Sequence, residues 1–335
     1  APQGVPTTTV SGTGGLTGVN GLSCPSASLC VGVDDAGAVL RTSRPTGPAS
    51  GWRRTVQPGV SANAPEALTG PTGLHSVSCP TVSFCAAVGP QDQLLTSSTP
   101  GTAALWRVTT LPFTLEESAG TFTEDLGQIW CTSSTLCVTT GSSNRLFVST
   151  QPAGGASKWR AFSLGAFNDD MWRSVACRNR TLCIAGDNTN GLLAVSTAPA
   201  RSWRVFRLLG GGVRATAITA VACVRDRGIC LVGTGTGALW RSTTPARGVA
   251  SFRRIAISHR AIVGLACRSA RLCVAIDQLG RAFSSTNPSG GATAWHATTL
   301  GFNNWPAGEG LLSVACAPTA VCLSGDGGGR VFSGT

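Results

Sequence analysis

The chain repeats one pattern of cysteines and short apolar runs seven times, and this repeat constrains its fold more than any other feature. Residues 174–206 show the whole unit. An apolar run ends in a first cysteine, and a second cysteine, after five or six intervening residues, opens another apolar run. A turn rich in Gly, Asp and Asn leads to a third run ending near Ser-Thr, and an aromatic residue opens a fourth. The first cysteines of successive copies lie 44 to 55 residues apart.

Each copy therefore supplies four short strands, A to D, and this period is typical of the four-stranded blades of a β-propeller. The sequence predicts one all-β domain over residues 1–335, a seven-bladed propeller with four-stranded antiparallel blades. The blades are predicted at residues 20–57, 74–112, 127–165, 173–209, 218–258, 262–301 and 310–335, the last together with residues 4–12.

The seventh copy reaches only its strand C before residue 335, so its strand D is expected to come from elsewhere. Residues 5–10 have the length and the β-branched content of a strand. We expect them to complete the last blade, which would close the ring and remove an exposed sheet edge. The chain begins without a basic, apolar signal sequence, so we expect a mature, processed form.

The fourteen cysteines form seven local pairs whose spacing suits the two ends of a hairpin and not a zinc site. We predict one disulfide per blade, each contributing about 2 kcal/mol in the chain-entropy model. Such pairing indicates an oxidising compartment, outside the cell or at its surface. The pairs are Cys24/Cys30, Cys79/Cys85, Cys131/Cys137, Cys177/Cys183, Cys223/Cys230, Cys267/Cys273 and Cys316/Cys322.

An aromatic residue opens strand D in six copies, and an arginine follows it in five of them. Because side chains alternate along a strand, we expect the ring to point inward and the guanidinium outward, where it charges the outermost strand. Trp130 stands where other copies have a small residue, and we interpret it as filling a gap between blades or part of the channel. The aromatics are Trp52, Trp106, Trp159, Trp203, Phe252 and Trp295.

The segment joining strands C and D, for example residues 284–295 (SSTNPSGGATAW), resembles a degenerate Asp-box, Ser-x-Asp-x-Gly-x-Thr-Trp. That motif marks the BNR/Asp-box-type propellers, which include sialidase-like propellers and those similar to YCF48. The name-giving aspartate is absent, and prolines such as Pro288 stand nearby. The Asp-box is a structural turn in that family, so the resemblance implies the fold and says little about function. A sialidase would need a tyrosine nucleophile, and this chain has no tyrosine.

Charged residues are predicted to separate between the two faces of the disc. Acids fall in the B–C turns and D–A crossings, and arginines fall in the A–B turns on the opposite face. Head-to-tail self-assembly is one hypothesis, since complementary faces of one molecule can propagate as a filament. The same separation also follows if short turns simply favour Asp and Gly. The residues of this predicted assembly face are Arg178, Arg180, Arg225, Arg227, Arg268 and Arg271 against Asp34, Asp35, Glu117 and Glu124.

Two long D–A crossings carry tryptophan beside acids and amides, the residue types that stack a sugar ring and bond its hydroxyls. A tryptophan that anchors its loop to the body is the alternative. Acid pairs could hold Ca²⁺, although no spacing matches a calcium loop, and no cofactor is predicted. The candidate ligand-binding residues are Trp172, Trp305, Asp169, Asp170, Asn304 and Glu309.

The sequence thus favours a noncatalytic extracellular interaction or structural protein. Its expected partner is itself, another protein or a glycan, and contact with an anionic envelope is a further option for a chain of net charge +11. Nucleic acid is not expected, because the arginines are dispersed without a groove. A carbohydrate-binding propeller is the first alternative. A glycan hydrolase or lyase is the second, with Glu66, Glu117, Glu124 and Glu309 as candidate carboxylates.

Overall fold

The protein is a closed ring of seven four-stranded antiparallel sheets, as the repeat predicts. The structure is a computed structural model that describes residues 7–9, 18–60, 73–112, 114–117, 120–123, 125–164, 171–210, 217–225, 228–300, 310–318 and 321–334, with the backbone alone for residues 7–9, 114–117 and 120–123. None of the helices in this part of the chain has the length and apolar character to cross a membrane.

The strands follow the repeat in chain order. Strand β1 (Thr7–Thr9) is followed by blade 1, with β2 (Val19–Ser26), β3 (Leu29–Asp34), β4 (Ala38–Thr42) and β5 (Trp52–Val56). Blade 2 comprises β6 (Ser76–Thr81), β7 (Phe84–Val88), β8 (Gln93–Ser97) and β9 (Arg107–Thr110). A hairpin of β10 (Thr114–Glu117) and β11 (Gly120–Thr123) leads to blade 3, with β12 (Leu126–Ser133), β13 (Leu136–Gly141), β14 (Arg145–Ser149) and β15 (Trp159–Ser163).

The remaining blades have the same order. Blade 4 comprises β16 (Trp172–Asn179), β17 (Leu182–Asp187), β18 (Leu192–Ala198) and β19 (Ser202–Arg207). Blade 5 comprises β20 (Ile218–Cys223), β21 (Cys230–Thr234), β22 (Ala238–Ser242) and β23 (Arg253–Ala256), and blade 6 comprises β24 (Ile262–Ser269), β25 (Leu272–Asp277), β26 (Arg281–Ser285) and β27 (His296–Thr299). Blade 7 holds β28 (Leu311–Cys316), β29 (Cys322–Asp326) and β30 (Arg330–Gly334). Short 3-10 helices span Ala49–Gly51, Pro152–Gly154, Ala156–Lys158, Pro245–Arg247, Val249–Ser251 and Ala292–Ala294.

The N-terminal strand completes the last blade, as predicted. Strand β1 pairs antiparallel with β30, with Thr7 opposite Phe332 and Thr9 opposite Arg330. The order of this sheet is therefore β1-β30-β29-β28. The innermost strand of each blade contacts that of the next, and β2 contacts β28, so blades 1 and 7 close the ring. Residues 5, 6 and 10, also predicted in this strand, lie outside the described residues.

All seven predicted disulfides form across the A–B hairpin of their own blade, with Cα–Cα distances of 3.9–4.1 Å. The short turn between the cysteines brings the two strands together, and the disulfide then holds the inner half of each blade covalently. This arrangement is compatible with an oxidising compartment. The bonds are Cys24–Cys30, Cys79–Cys85, Cys131–Cys137, Cys177–Cys183, Cys223–Cys230, Cys267–Cys273 and Cys316–Cys322.

A hydroxyl at the end of strand C starts the C–D turn in six blades. Its oxygen accepts the backbone N–H two residues further on, at 3.0–3.2 Å. The turn thus receives a local acceptor for an N–H that leaves the sheet. The likeness of this segment to an Asp-box stays a prediction. The residues are Thr42, Ser97, Ser149, Ser196, Ser242 and Ser285.

The core lies in the seams, the interfaces between neighbouring blades. Each of six seams holds one cluster of apolar side chains that includes or contacts the aromatic residue of strand D. This aromatic belongs to the later blade of the pair. Its ring points inward while the following arginine, or His296 in blade 6, is exposed, as the alternation predicts. Trp203 is half-buried, and the other five aromatics are buried.

Candidate functional site

The second cysteines of blades 1 to 6 belong to the core and do not form an accessible site. In blades 1 to 6 the second cysteine of each pair has no exposed surface, because its sulfur packs among the apolar side chains of a seam. A buried disulfide sulfur offers neither a thiolate nor a metal ligand. Their role is therefore structural alone, and a ligand cannot reach them. These buried cysteines are Cys30, Cys85, Cys137, Cys183, Cys230 and Cys273.

The aspartates that end strand B serve the structure of the B–C turn. Asp277 is fully buried, and its Oδ1 accepts the backbone N–H groups of Leu279 and Arg281 at 3.0 and 3.1 Å. Its Oδ2 accepts the Arg281 Nε–H at 2.8 Å and the Ser258 hydroxyl at 2.9 Å. Asp34, Asp187 and Asp326 end strand B in the same way and are also fully buried. A turn that buries its N–H groups needs an internal acceptor, and the carboxylate supplies it.

Burial raises the pKa of one of these aspartates and of a neighbouring turn carboxyl. The pKa of Asp326 is raised by desolvation, which outweighs the hydrogen bonds and the charge of Arg330. The pKa of the neighbouring Asp35 in blade 1 is also raised by desolvation, although the Asn20 side chain and the Gly18 N–H donate to this carboxylate.

The predicted acidic assembly face is therefore wrong for its described members. Asp34 has no exposed surface, and it forms a 2.7 Å ion pair with Arg54. Asp35 is half-buried and engaged by Asn20 and Gly18. Both carboxylates are thus bonded to groups of their own chain and present little charged surface to a second copy. Only the backbone of Glu117 is described, in the β10–β11 hairpin, and Glu124 lies outside the described residues.

The arginines of the A–B turns lie where the sequence predicts. We call this side of the disc, which the A–B and C–D turns share, the basic face. Arg180, Arg225, Arg268 and Arg271 are exposed, and Arg178 is half-buried. None of them forms an ion pair with a carboxylate in the part of the chain that the structure describes. Arg227 lies outside the described residues.

Trp172 is not a surface residue, so its predicted role in stacking a ligand is wrong. It is the first residue of β16, it is fully buried, and its indole Nε1–H donates to Asn144 Oδ1 at 3.3 Å. The other predicted ligand-binding residues, Trp305, Asp169, Asp170, Asn304 and Glu309, lie outside the described residues, as does Glu66.

The repeat contains the signal that would have placed Trp172 correctly. It lies five residues before the first cysteine of its pair. Every other copy has an aliphatic residue at this position, and all seven side chains are at most 1% exposed. In six blades this position is the first residue of strand A, and in blade 2 it lies two residues before that strand, so it is a buried anchor at the start of strand A. Its members are Val19, Leu74, Leu126, Trp172, Ile218, Ile262 and Leu311.

Trp130 fills space between blades, in agreement with the interpretation from the sequence. It lies on β12, it is half-buried, and it packs against the clusters on both sides of blade 4.

The seam between blades 6 and 7 differs from the other six. Its cluster contains no strand-D aromatic among the described residues. A cleft of about 660 Å³ lies there instead, and we call it the 6/7 cleft. Its apolar wall includes Leu272, Val274, Ala282 and Phe332, and the exposed Arg268 and Arg271 lie at its edge on the basic face. Its volume falls within the range of about 300–1,000 Å³ that is usual for ligand sites.

A second cleft, of about 400 Å³, lies on the same face between blades 1 and 2. It is lined mainly by hydroxyl-bearing and glycine residues together with Arg41 and Arg53. The strand-D aromatic of this seam, Trp106, is in place and buried, so this cleft is a surface groove over a filled seam. The 6/7 cleft is the better candidate for a binding site. Among the residues described, no three His, Cys, Asp or Glu side chains come together in a way that could hold a metal ion.

Comparison with known proteins supports the fold. No protein-family model matches the sequence, and no curated protein matches it either. Many solved structures match in three dimensions. One is a structure of "YCF48 bound to D1 peptide", with a TM-score of 0.64 and 11% sequence identity, covering 95% of this chain and 91% of that chain. At this identity the likeness shows a shared architecture alone: the chain has a seven-bladed β-propeller fold of the kind seen in YCF48.

Proposed function

We propose that the protein is an exported, noncatalytic propeller that uses its basic face to bind an acidic segment of another protein. The observation that carries this proposal is a difference in exposure between acidic and basic side chains. The described B-strand carboxylates are buried in their own turns, whereas four arginines of the A–B turns are exposed and form no ion pair with a described carboxylate. The chain as a whole has a net charge of +11. A surface of this kind attracts anionic partners and accelerates their association.

A rigid disc suits this role. Each blade is closed by its own disulfide, and the ring is closed by strand β1 from the other end of the chain. The arginines of different blades are therefore held at constant distances from one another. Binding to such a surface requires little ordering of the protein, so less of the interaction free energy is lost.

A protein partner is favoured over other anions for two reasons. The 6/7 cleft on the basic face has a mainly apolar wall, which suits a peptide side chain better than a phosphate or a sulfated sugar. In addition, the structural neighbour YCF48 is described as bound to a peptide. The carbohydrate-binding alternative loses Trp172 and depends on residues outside the described part of the chain. The hydrolase alternative depends on glutamates whose side chains are not described.

The proposal is tested by selecting a random peptide library, displayed on phage, against the oxidised protein. We expect peptides rich in Asp and Glu, whose affinity falls as salt is raised. Two variants with equal loss of charge identify the surface. The basic-face variant carries Arg180→Gln, Arg225→Gln and Arg268→Gln, and the rim variant carries arginine-to-glutamine changes at the exposed strand-D positions 107, 160 and 253.

The basic-face variant should lose most of the binding, and the rim variant should keep it. Equal loss in both variants would mean that net charge alone drives binding. Neutral peptides, or binding to a glycan array in place of peptides, would contradict the proposal.

A further inference from the structure

The 6/7 cleft marks the one described seam from which a recurring side chain is missing. In six seams the strand-D aromatic of the later blade packs into or against the cluster. In the third blade, for example, Trp159 lies opposite Ser149 at the end of β14. The corresponding position in blade 7 is opposite Gly334, because Gly334 faces the second cysteine of its blade as Ser149 does. The described part of β1 ends opposite Phe332, two residues short of it.

A second feature of the repeat enlarges the same cleft. One side chain of strand C points into the seam with the following blade, and it is Val or Leu in six blades. Blade 6 has Ala282 at this position, and Ala282 lines the cleft. Among the described residues, the seam thus lacks the strand-D aromatic ring and has a smaller strand-C side chain than the other seams. The six larger residues are Val39, Leu94, Leu146, Leu193, Leu239 and Val331.

Two apolar side chains beside the cleft are more exposed than their counterparts in blades 1 to 5. Cys322 of blade 7 is half-buried and lines the cleft, whereas the second cysteine of every other blade is fully buried. Leu272 is also half-buried, whereas the residue before the second cysteine is buried in blades 1 to 5. Apolar groups that a ring covers elsewhere are partly exposed to solvent here. Covering this surface with an apolar side chain of a ligand lowers the free energy, which favours binding.

The edge of the cleft is polar in a way that specifies its ligand further. The backbone of Ser333 and Gly334 continues β30 beyond the described β1, on the edge where the outer strand of the other blades pairs. Both residues line the cleft together with Arg268 and Arg271. An extended backbone can bond to this edge, and carboxylates can pair with the two guanidinium groups.

We propose that the 6/7 cleft binds an extended segment of another protein, one that carries an aromatic residue beside acidic residues. The segment extends along β30 beyond the described part of β1 and places its ring where the strand-D aromatic lies in the other seams. Its acidic side chains pair with Arg268 and Arg271. This inference rests on the proposed function and locates its binding site. Charge complementarity favours this occupant over a second copy of the chain, whose net charge is also +11.

The test uses three acetylated, amidated probe peptides of five residues, Gly-Asp-Trp-Glu-Gly, Gly-Asp-Ala-Glu-Gly and Gly-Lys-Trp-Lys-Gly, measured by calorimetry with the oxidised full chain. The first should bind, and replacing its Trp by Ala should weaken binding by about 30-fold, as for a buried aromatic anchor. Reversing its charges should weaken binding as well. No binding of the first peptide at millimolar concentration would overturn the inference.

Variants of the protein locate the site. Ala282→Trp should fill the cleft and lower the affinity for the first peptide by about 10-fold or more. Arg268→Gln should weaken it several-fold, while Arg178→Gln, at the same place in the A–B turn of blade 4, should not. Phe252 fills the seam next to that control. If Ala282→Trp does not fold, the comparison of Arg268→Gln with Arg178→Gln still shows whether the peptide binds at the cleft. Binding that none of these changes affects would overturn the inference.

Other occupants give distinct results. If residues 1–6 of the chain itself fill the cleft, the Cys316–Cys322 disulfide will be reduced no faster than Cys177–Cys183 in the free protein. If a second copy fills it, sedimentation will show a dimer that Ala282→Trp dissociates. Either result would overturn the inference. If acidic peptides from the display library bind the basic face and Ala282→Trp does not change their affinity, the proposed function stands. The 6/7 cleft is then not the binding site, and the inference is overturned.

Discussion

Replacing Trp159 by alanine should open at the seam between blades 2 and 3 the kind of cleft that the seam between blades 6 and 7 already has. Trp159 is 5% exposed and belongs to the cluster that contains Phe84, Leu94 and Phe147. A buried tryptophan removes about 150–250 Å² from water, which corresponds to about 4–6 kcal/mol at 25 cal/mol per Å². Measured Trp-to-Ala changes in cores cost about 3–5 kcal/mol, and we expect a value in that range.

The expected shift in melting temperature follows from the size of the protein. Unfolding entropies near about 2.1 cal/mol/K per residue give about 0.7 kcal/mol/K for 335 residues. A loss of about 4 kcal/mol at Trp159 then lowers Tm by about 6 °C. Differential scanning calorimetry without reductant measures this shift while the disulfides stay intact.

Two companion variants separate the loss of the ring from other effects. Arg160 is exposed on the same strand, and Arg160→Ala should change the free energy of unfolding by no more than about 0.5 kcal/mol. Trp159→Phe should cost about 1 kcal/mol, because Phe252 occupies the same place in blade 5 and because the indole N–H of Trp159 has no hydrogen-bond partner among the described residues. If Trp159→Ala lowers Tm no more than Arg160→Ala does, the ring does not hold the seam and the account of the cleft fails with it.

Three further predictions concern the turns and the disulfides. Asp277→Ala should lower the free energy of unfolding by about 3 kcal/mol, measured by the same calorimetry, because it strips four hydrogen bonds from a fully buried turn; a loss below that of Arg160→Ala would contradict its role. Burial raises the pKa of Asp35, so the folded state holds its proton more tightly than the unfolded state, and stability from this group is present at low pH and lost as pH rises through the folded pKa. The free energy of unfolding of the wild type, measured with urea, should therefore rise relative to that of Asp35→Asn as pH is lowered from about 6 to about 4. A difference between the two proteins that does not change with pH would refute the assignment. Mild reduction followed by alkylation and mass spectrometry should modify Cys316 and Cys322 first, since Cys322 is half-buried, whereas equal rates for all pairs would show that the cleft is covered.

The fold was predictable because its signals are local and repeat seven times. A cysteine pair such as Cys177/Cys183 marks a hairpin on its own, and the same spacing in each copy turns seven weak strand patterns into one strong one. The pairing of β1 with β30 joins the two ends of the chain, yet it was predictable from the unmatched strand C of the seventh copy.

The candidate site was predictable only in part. The exposed arginines of the A–B turns lie where the turn pattern predicts. The acids of the B–C turns were expected at the surface because turns usually are, but Asp34 and Asp277 point back into their own turns and bond its N–H groups. Trp172 was assigned to a crossing because the apolar anchor of strand A, five residues before each first cysteine, was not recognised as a repeat position.

The sequence by itself determined the number of blades, the disulfide pairing, the closing strand and the inward direction of the strand-D rings, because each depends on neighbours that are close in the chain or repeated along it. The tertiary structure alone decided which of the described charged side chains are exposed and which of the described seams has a cleft. Exposure depends on what the next blade places against a side chain, and the 6/7 cleft exists because Ala282 and the end of β30 meet across a seam that no local pattern joins.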